Sequence, residues 1–141
     1  MRYIQAMPPV ILSIAGYDPS SGAGVTADVK TAAAHGCYAV TCITALTVQS
    51  TQGVFEVQRV TPDLITRTLK TLTDDLDIAA VRLGMLASGE IATAVAEFLS
   101  AAKLPNVVLD PVMRSSSSGR GRSAYRGISV EVEVAIGSSV A

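Results

Sequence analysis

The stretch VILSIAGYDPSSGAGVTADVK, residues 10–30, decides how this chain begins to fold. Its apolar run over 10–16 stops at a glycine, which is typical of a strand buried in a parallel sheet. A glycine-rich loop follows, and residues 22–35 predict a helix with Ser20 or Ser21 as its N-cap. Gly36 supplies the stop signal after His35. The order of strand, glycine-rich loop and helix predicts the first half of a βαβ unit.

The alternation of strands and helices continues to about residue 112. Residues 37–46 are rich in β-branched side chains, and Thr61 before Pro62 is a typical helix start. This order predicts an α/β fold in which helices cover both faces of a mostly parallel sheet. The further predicted elements are strands at 37–46, 54–60, 79–86 and 106–112 and helices at 62–76 and 89–102.

The last part of the chain breaks this pattern. We therefore divide the sequence into an α/β part at 1–113 and a divergent Ser/Gly/Arg-rich tail at 114–141. The tail contains no amphipathic helix, and its segment SVEVEVAI alternates polar and apolar residues. An edge strand and an unpaired, disordered segment both fit that pattern.

The composition excludes several classes of protein. The chain has 141 residues, 49% of them apolar and 16% charged, with a formal net charge of -1. This favours one domain or part of one, with enough apolar surface for a core. The small net charge gives no general attraction to nucleic acid or to a membrane surface. The apolar run VILSIA is too short to span a bilayer, and a buried strand is favoured over a signal peptide.

The two cysteines, Cys37 and Cys42, lie too far apart to bridge. In a strand over 37–43 they would be roughly 16 Å apart and on opposite faces. Unbridged cysteines suit a reducing compartment, so we expect a cytoplasmic protein in which both are small buried side chains.

Polar and apolar side chains gather where the predicted strands end. In open parallel sheets, ligands bind beyond the carboxyl ends of the strands. Glycine at 16 lets backbone approach a ligand, an amide at 49 both donates and accepts, and Asp28 accepts from an amine or hydroxyl. Met85 and Val112 offer apolar contact to a flat ring. The candidate binding residues from this pattern are Gly16, Gly24, Asp28, Gln49, Met85 and Val112.

Two phosphate-binding interpretations of the loop fail. Residues 22–27 match the loose G-x-G-x-x-A dinucleotide pattern, but four residues separate the strand from the glycines. The sequence also has no acidic residue between Asp28 and Glu56 to hold a ribose. The Walker pattern fails because no Gly-Lys-Ser/Thr follows. The loop is therefore predicted to hold a small polar substrate rather than a phosphate chain.

Four ordered motifs carry a resemblance to a known family: IAGYDPSSGAGVTADVKT, ITALTVQSTQGV, RLGML and VVLDPVM. They resemble the bifunctional hydroxymethylpyrimidine/phosphomethylpyrimidine kinases of thiamine biosynthesis, which have the three-layer αβα ribokinase-like fold and are related to pyridoxal kinases. The resemblance covers residues 10 to about 113. It implies ATP-dependent phosphorylation of 4-amino-5-hydroxymethyl-2-methylpyrimidine and then of its monophosphate.

The resemblance also implies roles for single residues. The aminopyrimidine would lie against Gly16, Ala23 and Asp28, and Gln49 would pair with its ring nitrogen and amino group. Met85 and Val112 would pack on the ring. Asp110 resembles the acidic residue near Mg²⁺ and the phosphates. ATP and Mg²⁺ are the implied cofactors, and a homodimer is left open.

The sequence departs from this family in its second half. Relatives are roughly twice as long and carry a Gly-Thr-Gly-Cys motif with the catalytic cysteine, which this sequence lacks, so no catalytic residue is assigned. We expect a truncated fold with a tail like that of a shifted reading frame. Two alternatives stay open: a non-catalytic remnant or aminopyrimidine-binding module, and a specificity like that of pyridoxal kinases.

Overall fold

The computed structural model describes residues 7–110, which form five strands and three helices. The elements follow one another in the predicted order. In chain order they are β1 Val10–Tyr17, α1 Gly24–Ala34, β2 Tyr38–Ser50, β3 Gly53–Arg59, α2 Pro62–Asp75, β4 Ile78–Leu83, α3 Gly89–Ala102 and β5 Val107–Leu109.

The strands form one sheet in the order β3-β2-β1-β4-β5. β1 pairs in parallel with both β2 and β4, and β4 pairs in parallel with β5. Only β3 runs antiparallel, against β2. β2 and β4 therefore lie on opposite sides of β1. The strand order reverses between β1 and β4, so the carboxyl ends of these two strands form a switch point, the place where α/β proteins bind ligands.

The helices lie on opposite faces of this sheet, which confirms the predicted three-layer αβα architecture. Leu12 and Ile14 of β1 are fully buried in a core that also contains residues of α2 and α3. Ser13 between them points to the opposite face, because side chains alternate along a strand, and there it contacts α1. The main members of the core are Leu12, Ile14, Cys42, Ile65, Leu69, Val81, Leu83, Ile91 and Val95.

The helix ends follow the predicted signals with one correction. Thr61 caps α2 by accepting from the Leu64 N–H at 3.4 Å, and Gly36 follows α1 with a φ of 71°. The predicted caps of α1, Ser20 and Ser21, are wrong, since the helix begins after Ala23 and has no side-chain cap. The physical reason is that Ser20 donates its hydroxyl to a loop carboxylate instead.

The sheet differs from the prediction mainly in β2 and β5. β2 extends to Ser50 because its last six residues pair with β3 as a hairpin. The strand predicted at 106–112 is formed only over Val107–Leu109, and its end with Val112 lies outside the described residues. The whole of the tail at 114–141 also lies outside them.

The expectations about the two cysteines and about membrane-spanning segments concern residues that the structure describes. Cys37 and Cys42 are both free thiols, and Cys42 is buried as expected. The expectation that Cys37 is also buried is wrong, because Cys37 precedes β2 and is only half-buried. Burial raises the pKa of the Cys42 thiol to about 12. Within residues 7–110, each helix falls short of the length and apolar character that crossing a membrane requires.

Candidate functional site

The candidate site lies at the switch point, where β1 and β4 end side by side. A side chain at Gly16 would overlap the terminal methyl of Met85, so the Gly16 backbone and the Met85 side chain touch directly. Met85 is half-buried and packs against the core, and its carbonyl accepts from the Thr44 hydroxyl at 2.6 Å. Two of the predicted ligand-contacting residues are therefore neighbours.

The glycine-rich loop folds back onto the end of β1. Gly24 has a φ of 59°, in the left-handed region, and a side chain there would overlap the carbonyl oxygen of Gly16. Only glycine fits both the backbone conformation and the close approach. This contact brings the start of α1 next to the end of β1, and the contact of Ala23 with a ligand stays a prediction.

Asp18 organises the inside of this loop. One carboxylate oxygen accepts from the Ser20 N–H at 2.8 Å and from the Ser20 hydroxyl at 2.7 Å. The other accepts from the N–H groups of Gly22 at 3.1 Å and Ala23 at 2.9 Å. A glycine-rich loop with converging N–H groups is a typical anion site. Here the anion is the loop's own Asp18, which supports the prediction that the loop does not hold a phosphate chain.

The environment of Asp18 keeps its carboxylate ionised. Only 3% of its surface is exposed, and burial by itself raises the pKa. The hydrogen bonds from the Ser20 side chain and from the N–H groups of Ser20, Ala23 and Gly22 outweigh burial, so the pKa of Asp18 is lowered from 3.8. A carboxylate that accepts several N–H bonds commonly behaves in this way.

Gln49 lies near the end of β2, two residues from Thr47. The Thr47 hydroxyl lies 2.8 Å from the carbonyl oxygen of Tyr17, which joins the ends of β2 and β1. It also lies 3.2 Å from the Gln49 side-chain oxygen. A hydroxyl has only one proton to donate. The shorter distance makes the Tyr17 carbonyl oxygen the better acceptor of the two. Gln49 is half-buried, and its place beside Gly16 at the rim stays a prediction.

Asp28 lies in the layer between α1 and the sheet. Its Oδ2 accepts from the Ser13 hydroxyl at 2.6 Å and from Arg82 Nη1 at 3.0 Å. These two bonds hold the carboxylate between α1 and the sheet, and its contact with a ligand stays a prediction.

Asp110 follows β5 and is fixed by two contacts. Its N–H donates to the Leu83 carbonyl at 2.9 Å, and its Oδ2 accepts from Arg82 Nη2 at 2.9 Å. Within residues 7–110, no three His, Cys, Asp or Glu side chains are grouped closely enough to hold a metal ion. Mg²⁺ commonly uses one or two protein carboxylates together with substrate phosphates, and a single Asp110 fits that kind of site.

Sequence reasoning missed two residues that organise the site, Asp18 and Arg82. The Asp-Pro-Ser-Ser run signals a turn, in which an aspartate commonly accepts from backbone N–H groups ahead of it. Arg82 is the one charged residue in the strand IAAVRL, and a charge there needs a partner. Both signals are visible in the sequence, although neither identifies the partner. Val112 lies outside the described residues, so its predicted ring contact stays a prediction.

Comparison with known proteins identifies what this arrangement resembles. A family model described as "Phosphomethylpyrimidine kinase" matches residues 18–125. A hydroxymethylpyrimidine/phosphomethylpyrimidine kinase from Aquifex aeolicus is 47% identical over 119 residues, which is 84% of this chain and 46% of that protein. The chain therefore spans about half the length of this curated relative.

Solved structures of related kinases also align with this chain. The crystal structure of phosphomethylpyrimidine kinase from Clostridium difficile aligns with a TM-score of 0.74 and 40% identity, covering 79% of this chain and 48% of that one. A pyridoxal kinase from Staphylococcus aureus, in complex with AMP-PCP and pyridoxal, aligns with a TM-score of 0.67 and 30% identity. That alignment covers 76% of this chain and 40% of the pyridoxal kinase.

Proposed function

The chain belongs to the phosphomethylpyrimidine kinase family, and we propose that it supplies the substrate-binding part of such a kinase. The proposed reaction is ATP-dependent phosphorylation of 4-amino-5-hydroxymethyl-2-methylpyrimidine and of its monophosphate, in thiamine biosynthesis. The observation that carries this proposal is the meeting of Gly16, the loop at Ala23 and Met85 at the switch point of the sheet.

The chemistry of the rim suits an aminopyrimidine. Such a ring presents adjacent donor and acceptor groups at its edge, and the Gln49 amide offers the complementary acceptor and donor. The Met85 thioether is an apolar, polarisable contact for a ring face, and Val112 would add a second apolar contact. Gly16 and Ala23 leave the backbone accessible, and Asp28 would accept from the ring amino group.

Positioning and charge neutralisation supply most of the catalysis in phosphoryl transfer. In the first proposed transfer the hydroxymethyl oxygen bonds to the γ-phosphorus of ATP, the bond between the γ-phosphorus and the bridging oxygen of ADP breaks, and the hydroxyl proton passes to solvent. This chain's residues would orient the hydroxymethyl group, and Asp110 would hold Mg²⁺ together with the phosphates. Mg²⁺ would neutralise phosphate charge when bound. We assign no residue of this chain as the catalytic base.

The alternative is a function that needs no catalytic residue. An aminopyrimidine-binding module without catalysis would need only the rim described above. A pyridoxal-kinase-like specificity has weaker support, because the Staphylococcus aureus pyridoxal kinase is 30% identical and the Clostridium difficile phosphomethylpyrimidine kinase 40%.

The cofactor, the location and the oligomeric state are proposed from the same family. ATP use is supported by the similar pyridoxal kinase that was solved in complex with AMP-PCP. A cytoplasmic location suits two free cysteines and a cytoplasmic supply of ATP. A homodimer remains a proposal from resemblance alone, and neither a nucleic acid nor a membrane partner is proposed.

A turnover experiment separates the two main functions. The purified chain is incubated with ATP, Mg²⁺ and hydroxymethylpyrimidine, and phosphorylated pyrimidine is detected by mass spectrometry. Formation of the monophosphate and then the diphosphate supports the kinase. Binding without product supports the module. Preferential phosphorylation of pyridoxal in a parallel reaction would contradict the proposed substrate.

A further inference from the structure

Arg82 contacts both carboxylates that the sequence assigns to the site. Its Nη1 donates to Asp28 Oδ2 at 3.0 Å, and its Nη2 donates to Asp110 Oδ2 at 2.9 Å. These nitrogens belong to one rigid, planar guanidinium group, so the two acceptors are fixed relative to each other. The bridge joins three separate elements: helix α1, strand β4 and the residue that follows β5.

The surroundings of Arg82 hold the guanidinium in place. A side chain at Gly84 would overlap Arg82 Nη1 and would lie 2.9 Å from the Cβ of Ala15. The guanidinium therefore lies across Gly84, at the end of β4 and one residue before Met85. The Arg82 side chain is 28% exposed, and that of Asp28 is 22% exposed. Partial burial strengthens this ion pair relative to one in open solvent.

Arg82, Asp28 and Asp110 form a cluster with more negative than positive charge. One guanidinium lies between two carboxylates, so the three side chains together carry a net charge of −1 when ionised. A cation at Asp110 would compete with Arg82 for that carboxylate. The guanidinium would then keep Asp28 as its remaining anionic partner, so events at Asp110 reach Asp28 through Arg82.

We propose that Arg82 is a positioning residue that couples the two ends of the substrate site. It holds Asp28, at the aminopyrimidine end, with the same guanidinium that binds Asp110, at the phosphate end. This inference rests on the proposed function, which gives Asp28 the pyrimidine contact and Asp110 the cation. It adds a residue for which the sequence assigned no role.

Ligand binding tests the positioning role. Hydroxymethylpyrimidine is titrated by calorimetry into the wild-type chain, Arg82→Gln and Arg82→Lys. We expect Arg82→Gln to weaken binding about tenfold, which corresponds to about 1.4 kcal/mol. Arg82→Lys should recover part of the affinity, because an ammonium keeps the charge but lacks the two-armed geometry. The matched control is Arg67→Gln, which removes an exposed arginine paired with Asp63 on α2 and should leave binding unchanged.

A ligand-independent readout keeps this inference separate from the proposed function. Urea unfolding of Asp28→Asn, Asp110→Asn and the double variant should be non-additive in the Arg82 protein and additive in the Arg82→Gln background. If the wild-type chain binds pyrimidine and Arg82→Gln binds equally well, the positioning role is wrong and the proposed function stands. If the wild-type chain does not bind, the proposed function fails, and the unfolding cycle alone decides the coupling. Additivity in both backgrounds would overturn it.

Discussion

The carboxylate of Asp18 accepts a hydrogen bond from the Ala23 N–H at 2.9 Å, across the glycine-rich loop. This contact closes the loop on itself at the start of α1. The loop therefore resembles a phosphate cradle in sequence but is organised around an internal anion. A site shaped in this way suits an uncharged ring better than a phosphate chain.

Replacing this anion should loosen the loop. Asp18→Asn turns one acceptor oxygen into an NH₂ group that faces backbone N–H groups. We expect a loss of about 2 kcal/mol in the free energy of unfolding, since bonds to a buried charged group are lost. Urea denaturation measures this loss. Asp77→Asn, at an exposed loop position, is the control and should change stability by less than about 0.5 kcal/mol.

The same substitution has a predictable dependence on pH. The folded-state pKa of Asp18 lies below 3.8, so the ionised form stabilises the folded chain. This contribution is fully present above 3.8 and is lost as the pH falls from there through the folded-state pKa. The stability difference between the wild type and Asp18→Asn should therefore shrink in acid below 3.8. A difference that grows in acid would contradict the hydrogen bonding described for Asp18.

Gly24 should tolerate no side chain. Gly24→Ala must adopt a left-handed φ, which costs about 1–2 kcal/mol, and must also displace the Gly16 carbonyl. Gly36 has a similar φ of 71° but open space around it, so Gly36→Ala should show the conformational cost alone. Thermal unfolding of both variants compares them. Equal destabilisation would mean that the contact between Gly24 and Gly16 contributes nothing.

The two cysteines should differ in reactivity. Cys42 is 1% exposed and its pKa is about 12, so its thiol stays protonated and shielded at neutral pH. The thiolate is the reactive form, so iodoacetamide should label Cys37 alone in the folded chain. Mass spectrometry of the intact protein gives the number of labels. A second label should appear only in denaturant, and rapid double labelling of the folded chain would contradict the described burial.

Gln49 should contribute to ligand affinity. Gln49→Leu removes the amide that is proposed to pair with the pyrimidine edge, and we expect binding to weaken by about 1–3 kcal/mol. Calorimetric titration with hydroxymethylpyrimidine measures the change. Gln58→Leu, at an exposed position of β3, is the matched control. An unchanged affinity for Gln49→Leu would remove this residue from the site.

The elements with strong local patterns were predicted closely. The helix at 89–102 has the predicted bounds, because Ser88 caps it and its apolar residues recur with helical spacing. β1 begins at residue 10 as predicted. By contrast, β2 was predicted to end at 46, since its extension to Ser50 depends on pairing with β3. The propensity of β2 alone does not show how far its neighbour β3 will pair with it.

The candidate site residues follow from the sequence, whereas the contacts between them do not. The rule for open parallel sheets predicts Gly16, Gln49 and Met85 at one edge, and Gly16 and Met85 do touch there. The bond from Arg82 to Asp28 joins residues 54 positions apart in the chain. Such a pair becomes visible only when β4 lies next to β1 and α1 covers that face. Local propensity carries no information about either arrangement.

The most direct test of the central claim is a calorimetric titration of the wild-type chain with hydroxymethylpyrimidine, beside an identical titration with pyridoxal. We predict saturable binding of the aminopyrimidine, at one site per chain, with weaker binding of pyridoxal. A folded chain that binds neither compound, or that prefers pyridoxal, would contradict the proposal that the rim around Gly16 and Met85 is an aminopyrimidine site.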